Sequence, residues 1–283
     1  MKRIRIIHKT EYHYHEPVSF GVHRAMLRPL EGHDVHIDTL RLEIEPQAAV
    51  RWVRDIYGNS IAVITFAKEA RKLSVSSDVT VDLYDENSLD CLIDPDARSY
   101  PFQYASDEQL ELLLYRVPSY PHDGPALKNW LRDLYAPGQL IDTSELLTRL
   151  NTKIFQSLQY ENREEAGVRL PCQTLALGSG SCRDFAVLMM EAARHWGFGA
   201  RFVTGYIQMA EGQHGATHAW TEIYLPGAGW CGFDPTNNKP AGAEHVSVAV
   251  SSEQEKAMPL SGAWSGPSGA FDRMEVSVQV VSL

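Results

Sequence analysis

Residues 178–197, GSGSCRDFAVLMMEAARHWG, restrict the fold more than any other stretch of this chain. Phe185, Leu188, Met189, Ala192 and Trp196 fall at helical spacing, and most positions between them are also apolar. A helix that is apolar nearly all round is a buried helix, so a domain has to be built around it. Gly197 stands where a helix-ending glycine belongs. At the other end, a Gly/Ser run delivers Cys182 to the first turn. A helix start carries partial positive charge and backbone N–H groups with no intrahelical partner. A thiol there is placed to act as a nucleophile beside a ready oxyanion site. The plainer role for Cys182 is that of a small buried apolar residue.

The N-terminal part reads as β structure. Ile4, Ile6, His8, Thr10, Tyr12 and Tyr14 share one strand face, opposite Arg3, Arg5, Lys9, Glu11 and His13. Residues 39–45 alternate again and stop at Pro46. Runs 49–56 and 61–66 flank Tyr57-Gly58-Asn59-Ser60, a hairpin signal. Residues 72–84 give another strand. With no long helical pattern before about residue 105, this part is expected to be an antiparallel β-sandwich-like domain over 1–95. His13 and His15 sit at i, i+2, but no acidic or cysteine cluster marks further ligands, so a solvated strand face explains them better than a metal.

Residues 90–104, with Pro95 and Pro101, read as a linker. Ser106-x-x-Gln109 fits a capping box before a helix stopped by Pro118. Residues 124–135 carry a helical stripe that ends at Pro137-Gly138. Asp142-x-x-Glu145 starts a third helix, striped by Leu146, Leu147, Leu150, Ile154 and Leu158. The polar stretch 160–177 reads as a long loop feeding Cys182, where substrate contacts are expected.

Beyond the buried helix, residues 200–209 and 217–225 read as strands. In the second, THAWTEIYL, His218, Trp220, Glu222 and Tyr224 face one way and Ala219, Thr221, Ile223 and Leu225 the other. Pro226-Gly227-Ala228-Gly229 turns the chain into 230–234. A four-residue loop pairing Leu225 with Trp230 would put Asp234 and His218 on opposite faces. A shift of one residue makes them diagonal neighbours, roughly 7–8 Å apart at Cα and within hydrogen-bonding reach. Gly227, Gly229 and Gly232 make the shift easy, so the shifted register is expected. Residues 245–250 read as a strand near the active-site side and 259–272 as a loop. Residues 275–281 form a last strand that either completes this sheet or returns to the first domain.

A chain of 283 residues with a net charge of −10 is not built for nucleic acid or an anionic membrane. No apolar run approaches the ~20 residues of a membrane span, and the basic start has no signal-peptide h-region. The cysteines, Cys91, Cys172, Cys182 and Cys231, show no C-x-x-C spacing and read as free thiols, so a cytoplasmic location is expected.

The blocks GSGSCRDFA, ARFVTGY and THAWTEIYLPGAGWCGFDPTNN, in this order, resemble the bacterial transglutaminase-like superfamily of papain-type fold. IIHKTEYHYHEPVSFGVHRAMLRP and RDIYGNS resemble the β domain that precedes it in bacterial members. The resemblance implies an α+β fold with a transglutaminase-like domain over 96–283. It also implies Cys182 as nucleophile, His218 as base and acid, and Asp234 as the residue orienting the histidine. Near the C-terminus, family members often carry a Gly-Arg-Asp-Tyr-like stretch followed by Pro and Gly. Here residues 250–262 keep Pro259 and Gly262 but lack the Arg-Asp-Tyr.

These residues permit acyl transfer. A thiolate–imidazolium pair attacks an amide carbonyl, the imidazolium protonates the leaving amine, and the carboxylate fixes the imidazole. The Cys182 backbone N–H is one oxyanion donor; Gln173, Trp220 and Trp230 are weaker candidates for a second. Arg183 either binds a substrate carboxylate or pairs nearby, and Asp184 places negative charge in the first helical turn. His195 lies ~20 Å from Cys182 by helical rise. A His214/His218 metal pair does not suit a strand, Cys231 points away from Asp234, and Cys172 sits on the substrate-side loop. The expected function is hydrolysis of a peptide, isopeptide or glutamine-type amide, as a cysteine protease or amidase. Transamidation to an amine, or a non-catalytic binding module, are the alternatives. No cofactor is called for, and no EF-hand-like spacing implies calcium.

Overall fold

A computed structural model of the chain describes residues 1–84, 92–163, 165–208, 217–242 and 244–283. The alternating N-terminal runs form β1 (Lys2–Phe20), β2 (His23–Ala25), β3 (Val35–Glu45), β4 (Ala48–Arg54), β5 (Ser60–Phe66) and β6 (Ala70–Leu83). The middle holds β7 (Ser99–Tyr100), α1 (Ser106–Glu111), α2 (Leu113–Arg116), α3 (Gly124–Leu131), β8 (Ile141–Asp142) and α4 (Thr143–Ser157). Next come β9 (Gln159–Tyr160), α5 (Pro171–Leu177), β10 (Ser179–Gly180) and α6 (Cys182–His195). A second sheet follows in β11 (Ala200–Ile207), β12 (Thr217–Leu225), β13 (Gly229–Asp234), β14 (Lys239–Ala241) and β15 (His245–Ser251). The chain closes with β16 (Leu260–Ser261), β17 (Trp264–Ser265) and β18 (Phe271–Ser282).

The fold is α+β, with antiparallel sheets and an N-terminal β unit. In that unit one sheet runs β17–β1–β6–β3, with β18 also on β1, and the other runs β16–β2–β5–β4. Tyr14, Val18, Phe20, Ile64, Leu73 and Val75 fill the space between them. The period-two pattern of β1 explains its position: Ile4, Ile6, His8, Thr10 and Tyr14 are all buried.

The C-terminal strands cross the boundary expected at residue 95. β18 pairs antiparallel along β1 from Ile4↔Ser282 to Tyr14↔Phe271, β17 continues on Ser19 and Phe20, and β16 pairs with β2. The segment 260–282 therefore completes the N-terminal sheets, and 96–283 is not one continuous unit. Alternation gave the strand but not its partner.

The second sheet runs β14–β13–β12–β11–β15. Its Ala219, Ile223, Phe202 and Cys231 face packs on α6 together with α4, and Thr221 Oγ1 donates to the Ala186 carbonyl at 2.7 Å. Tyr206, Val246 and Val248 pack on Ile4, Ile6 and Val79 of the N-terminal unit. There the buried His8 Nδ1 lies 2.8 Å from the Tyr206 hydroxyl.

The β4–β5 turn supplies a second link between the units. Its loop spans 55–59, since Arg54 pairs with Ser60. The fully buried Asn59 donates to the Val250 carbonyl at 2.8 Å and accepts from the Val250 N–H at 2.9 Å.

Some local expectations change. The helix expected before Pro118 breaks at Leu112, and its N-cap is Ala105, whose N–H donates to Glu108 Oε2 at 3.2 Å. The stretch read as a linker is anchored: β7 pairs with β8, and Tyr100 stacks on Phe198 at 5.2 Å. The long loop 160–177 contains α5, too short to show a stripe. Asp142 does cap α4, accepting from Glu145 N at 2.9 Å.

Deleting residues 271–283 would remove β18 from one side of β1, leaving β6 on the other, and expose a long open edge. The truncated chain should melt at lower temperature and self-associate in size-exclusion chromatography. A monomer with unchanged melting would contradict the pairing.

Candidate active site

Cys182 is the first residue of α6, with Ser181 as N-cap. The turn before it is held by one buried carboxylate. Asp184 is fully buried and accepts from Ser181 N at 2.8 Å, Ser181 Oγ at 2.9 Å and Arg169 N at 2.7 Å. Arg163 Nη1 lies 2.8 Å from both its oxygens. Burial opposes this charge, but the hydrogen bonds outweigh it and hold the carboxyl below its ordinary range. A Cβ on Gly180 would lie 2.9 Å from the Asp184 Cβ, so glycine is required there. Asp184 thus does more than place charge in a first turn: it fixes the backbone leading into Cys182.

The β12–β13 register brings the other two residues together. Leu225 pairs with Gly229, Tyr224 with Trp230 and Thr221 with Phe233, so the loop is the odd-length Pro226-Gly227-Ala228. One residue further, Asp234 falls beside Trp220 and on the His218 side. Gly227 and Gly229 both have positive φ, 80° and 74°, which the tight turn needs. His218 Nε2 then lies 2.9 Å from Asp234 Oδ2. The Cys182 thiol is near enough to raise the pKa of the same imidazole.

Asp234 is fully buried and crowded with donors. Oδ1 accepts from Thr236 N at 3.0 Å and Asn237 N at 3.2 Å. Oδ2 accepts from Asn237 Nδ2 at 2.7 Å and lies 3.0 Å from His245 Nε2. Burial disfavours the anion, but these bonds and the His218 charge hold it far below the usual carboxylate range. For His218, burial pulls the imidazole down, and the bonds to Asp234 and Cys182 together with their charges push it up to about 9. Asp234 and Cys182 thus both favour the protonated form of this imidazole, against its burial.

The remaining candidates have other places. Gln173 is exposed and its Oε1 caps α5 by accepting from Leu170 N at 3.1 Å. Arg183 donates to the carbonyls of Arg163 at 3.3 Å and Glu165 at 3.1 Å, bracing the preceding loop. Trp220 is buried with its ring 6.2 Å from that of His218. Trp230 packs on Tyr115 at 4.9 Å and under the Arg201 guanidinium at 4.2 Å. Cys172 lies in the first turn of α5 beside Asp123, whose carboxylate pushes the thiol up. Cys231 is in the core under α6. His214 and Cys91 lie outside the described residues.

Two residues escaped the sequence reading: Asn237 and His245. Asn237 follows the Asp-Pro of the turn after β13, a place where Asn side chains bond back to the chain. His245 starts β15, and the only signal was its position on a strand bordering the site.

Among the described residues, His218, Asp234 and His245 lie close enough to hold a metal ion, and so do Glu11, His13 and Glu275. In the second group Glu11 already pairs with Lys72 and Lys9, two cations that oppose a third. In the first, both imidazoles already stand at hydrogen-bonding distance from one carboxylate oxygen.

A thiol at a helix start, beside an imidazole held by a buried carboxylate, is the constellation of the thiol acyl-transfer enzymes. Residues 137–235, which include all three, match the transglutaminase-like superfamily, and residues 4–82 match the bacterial transglutaminase-like N-terminal region. The chain thus carries a transglutaminase-like superfamily core at residues 137–235, behind a bacterial transglutaminase-like N-terminal region at residues 4–82. An uncharacterized protein of Mycobacterium tuberculosis is 27% identical over 274 residues, covering 92% of this chain and 87% of its own. One of Mycobacterium leprae is 23% identical over 290 residues and covers 100% of both. The crystal structure of a candidate cysteine protease from Cytophaga hutchinsonii superposes with a TM-score of 0.76 at 20% identity, covering 100% of this chain and 91% of that one. It shares the fold.

A raised folded pKa adds stability that is complete below the unfolded value and lost as the pH climbs through the folded one. For His218 that window runs from 6.5 to about 9. Melting temperatures should fall across it in the wild type and flatten in His218→Gln. Parallel slopes would show that His218 carries no such charge.

Proposed function

We propose that the protein transfers an acyl group from an amide through a thioester on Cys182, with water as the usual acceptor. The observation that carries this is the His218 imidazole, held at 2.9 Å by buried Asp234 and influenced by the Cys182 thiol at the start of α6. A positively charged imidazole beside a thiol favours the thiolate. The sulfur adds to the carbonyl carbon, and the oxyanion meets the backbone N–H groups at the start of α6. His218 gives its proton to the leaving nitrogen, the C–N bond breaks, and a thioester and an amine result. Water then adds to the thioester as His218 takes its proton. The C–S bond breaks, and the acid leaves. Asp234 stabilises the imidazolium through both halves. The substrate is a peptide or protein amide.

Iodoacetamide labelling at slightly acidic pH, mapped by mass spectrometry, should modify Cys182 faster than the other thiols. His218→Ala should slow that labelling by about 10²–10⁴-fold, the range of a lost general acid–base partner. Equal reaction of all four thiols would overturn the reading. A panel of peptide, isopeptide and glutamine amides, with and without added amine, should give acid products that are absent in Cys182→Ala. Products formed only with amine would make the enzyme a transamidase.

A further inference from the structure

Asp234 has a second histidine. His245, from β15, places Nε2 at 3.0 Å from Asp234 Oδ2, the same oxygen that meets His218, and its side chain is only 3% exposed. The ring is fixed from two further directions. The Gly242 N–H donates to its Nδ1 at 3.3 Å, and the Trp220 ring meets it edge-to-face at 5.0 Å.

The Gly242 bond decides the tautomer. An N–H donor at Nδ1 requires a lone pair there, so the ring's proton sits on Nε2 and points at Asp234. A metal on Nε2 would demand the opposite, a proton on Nδ1 facing the Gly242 N–H. The cluster is therefore a hydrogen-bonded one. Burial, the largest influence on His245, pulls its pKa down against the attraction of Asp234. The other charged groups facing it are His218 and Lys239, with Glu244 paired to Lys239.

We propose that His245 is a positioning residue for the thiol centre: a neutral imidazole that fixes Asp234 against His218 by one hydrogen bond without taking up its charge. This rests on the acyl-transfer reading of Cys182 and His218. A cationic donor in its place would orient the carboxylate equally well but would neutralise it, and His218 would lose the anion that keeps it protonated. A neutral donor supplies the orientation alone. Asn237 Nδ2 acts in the same sense from the turn, but it is exposed, whereas His245 closes the buried side.

The test compares His245→Ala with His245→Gln, whose amide N–H can replace the donor. Iodoacetamide labelling of Cys182 should slow roughly 10- to 100-fold in His245→Ala, the scale of one hydrogen bond to a charged group. The pH at which His218 titrates, followed by ¹⁵N-edited NMR, should fall. His245→Gln should recover most of both. If His245→Ala changes neither quantity, or if Gln is as impaired as Ala, the role is packing and the inference fails. Should the Ala variant not fold, the wild-type protein and His245→Gln still decide. The His245 ring of the wild type should be neutral with its proton on Nε2, and an Nδ1–H tautomer or an imidazolium would overturn the proposal. His218→Ala separates the two levels. If it leaves Cys182 labelling unchanged, the acyl-transfer reading falls; if it slows labelling while His245→Ala does not, only the role of His245 falls.

Discussion

Removing a carboxylate from water costs several kcal/mol unless charge and hydrogen bonds replace the solvent. Asp234 meets that demand in full, with two backbone donors on one oxygen and three side chains on the other. Those donors come from β12, from the turn after β13 and from β15, so the anion is satisfied only when these pieces are assembled. The same requirement recurs at Asp184, whose oxygens gather the N-cap, Arg163 and the Arg169 backbone around Cys182. Each of two buried anions fixes one side of the site.

The two sides are joined by register. A three-residue loop between β12 and β13, rather than a four-residue one, sets Asp234 on the His218 face. That face lies away from α6, whose helix packs on the alternate residues of the same strand. His218, near the start of β12, is where the helix N-terminus and the opposite sheet face come together.

Where the residue pattern has a period, the structure was readable in advance. The apolar surface of α6, the alternation of β1 and THAWTEIYL, and the glycines of the β12–β13 turn each have one simple geometric solution. The sequence showed less where partners are distant. EVSVQVV announces a strand, but nothing in it selects β1, some 270 residues away, over the neighbouring sheet. α5 has seven residues and no stripe, and the aromatic residues of 100–104 look like loop until Phe198 is beside them. His245 shares β15 with two serines, Ser247 and Ser251, and its meaning depends on a carboxylate from another hairpin. Gln173 and Trp230 illustrate the converse: types suited to an active site, engaged elsewhere by a helix cap and an aromatic stack.

The contact between Asn59 and Val250 has a consequence for how this chain tolerates change. Asn59 reads the backbone N–H and C=O of Val250, and Arg194 likewise binds the Ser252 carbonyl. Neither contact depends on which side chain residues 250 or 252 carry. The start of the 250–262 stretch is thus held through its main chain at Val250 and Ser252. In the same stretch Val250, Ala257 and Leu260 are buried in the cores and the Ser252 hydroxyl meets that of Tyr57 at 2.9 Å, so sequence drift is confined to exposed positions such as Glu255 and Lys256.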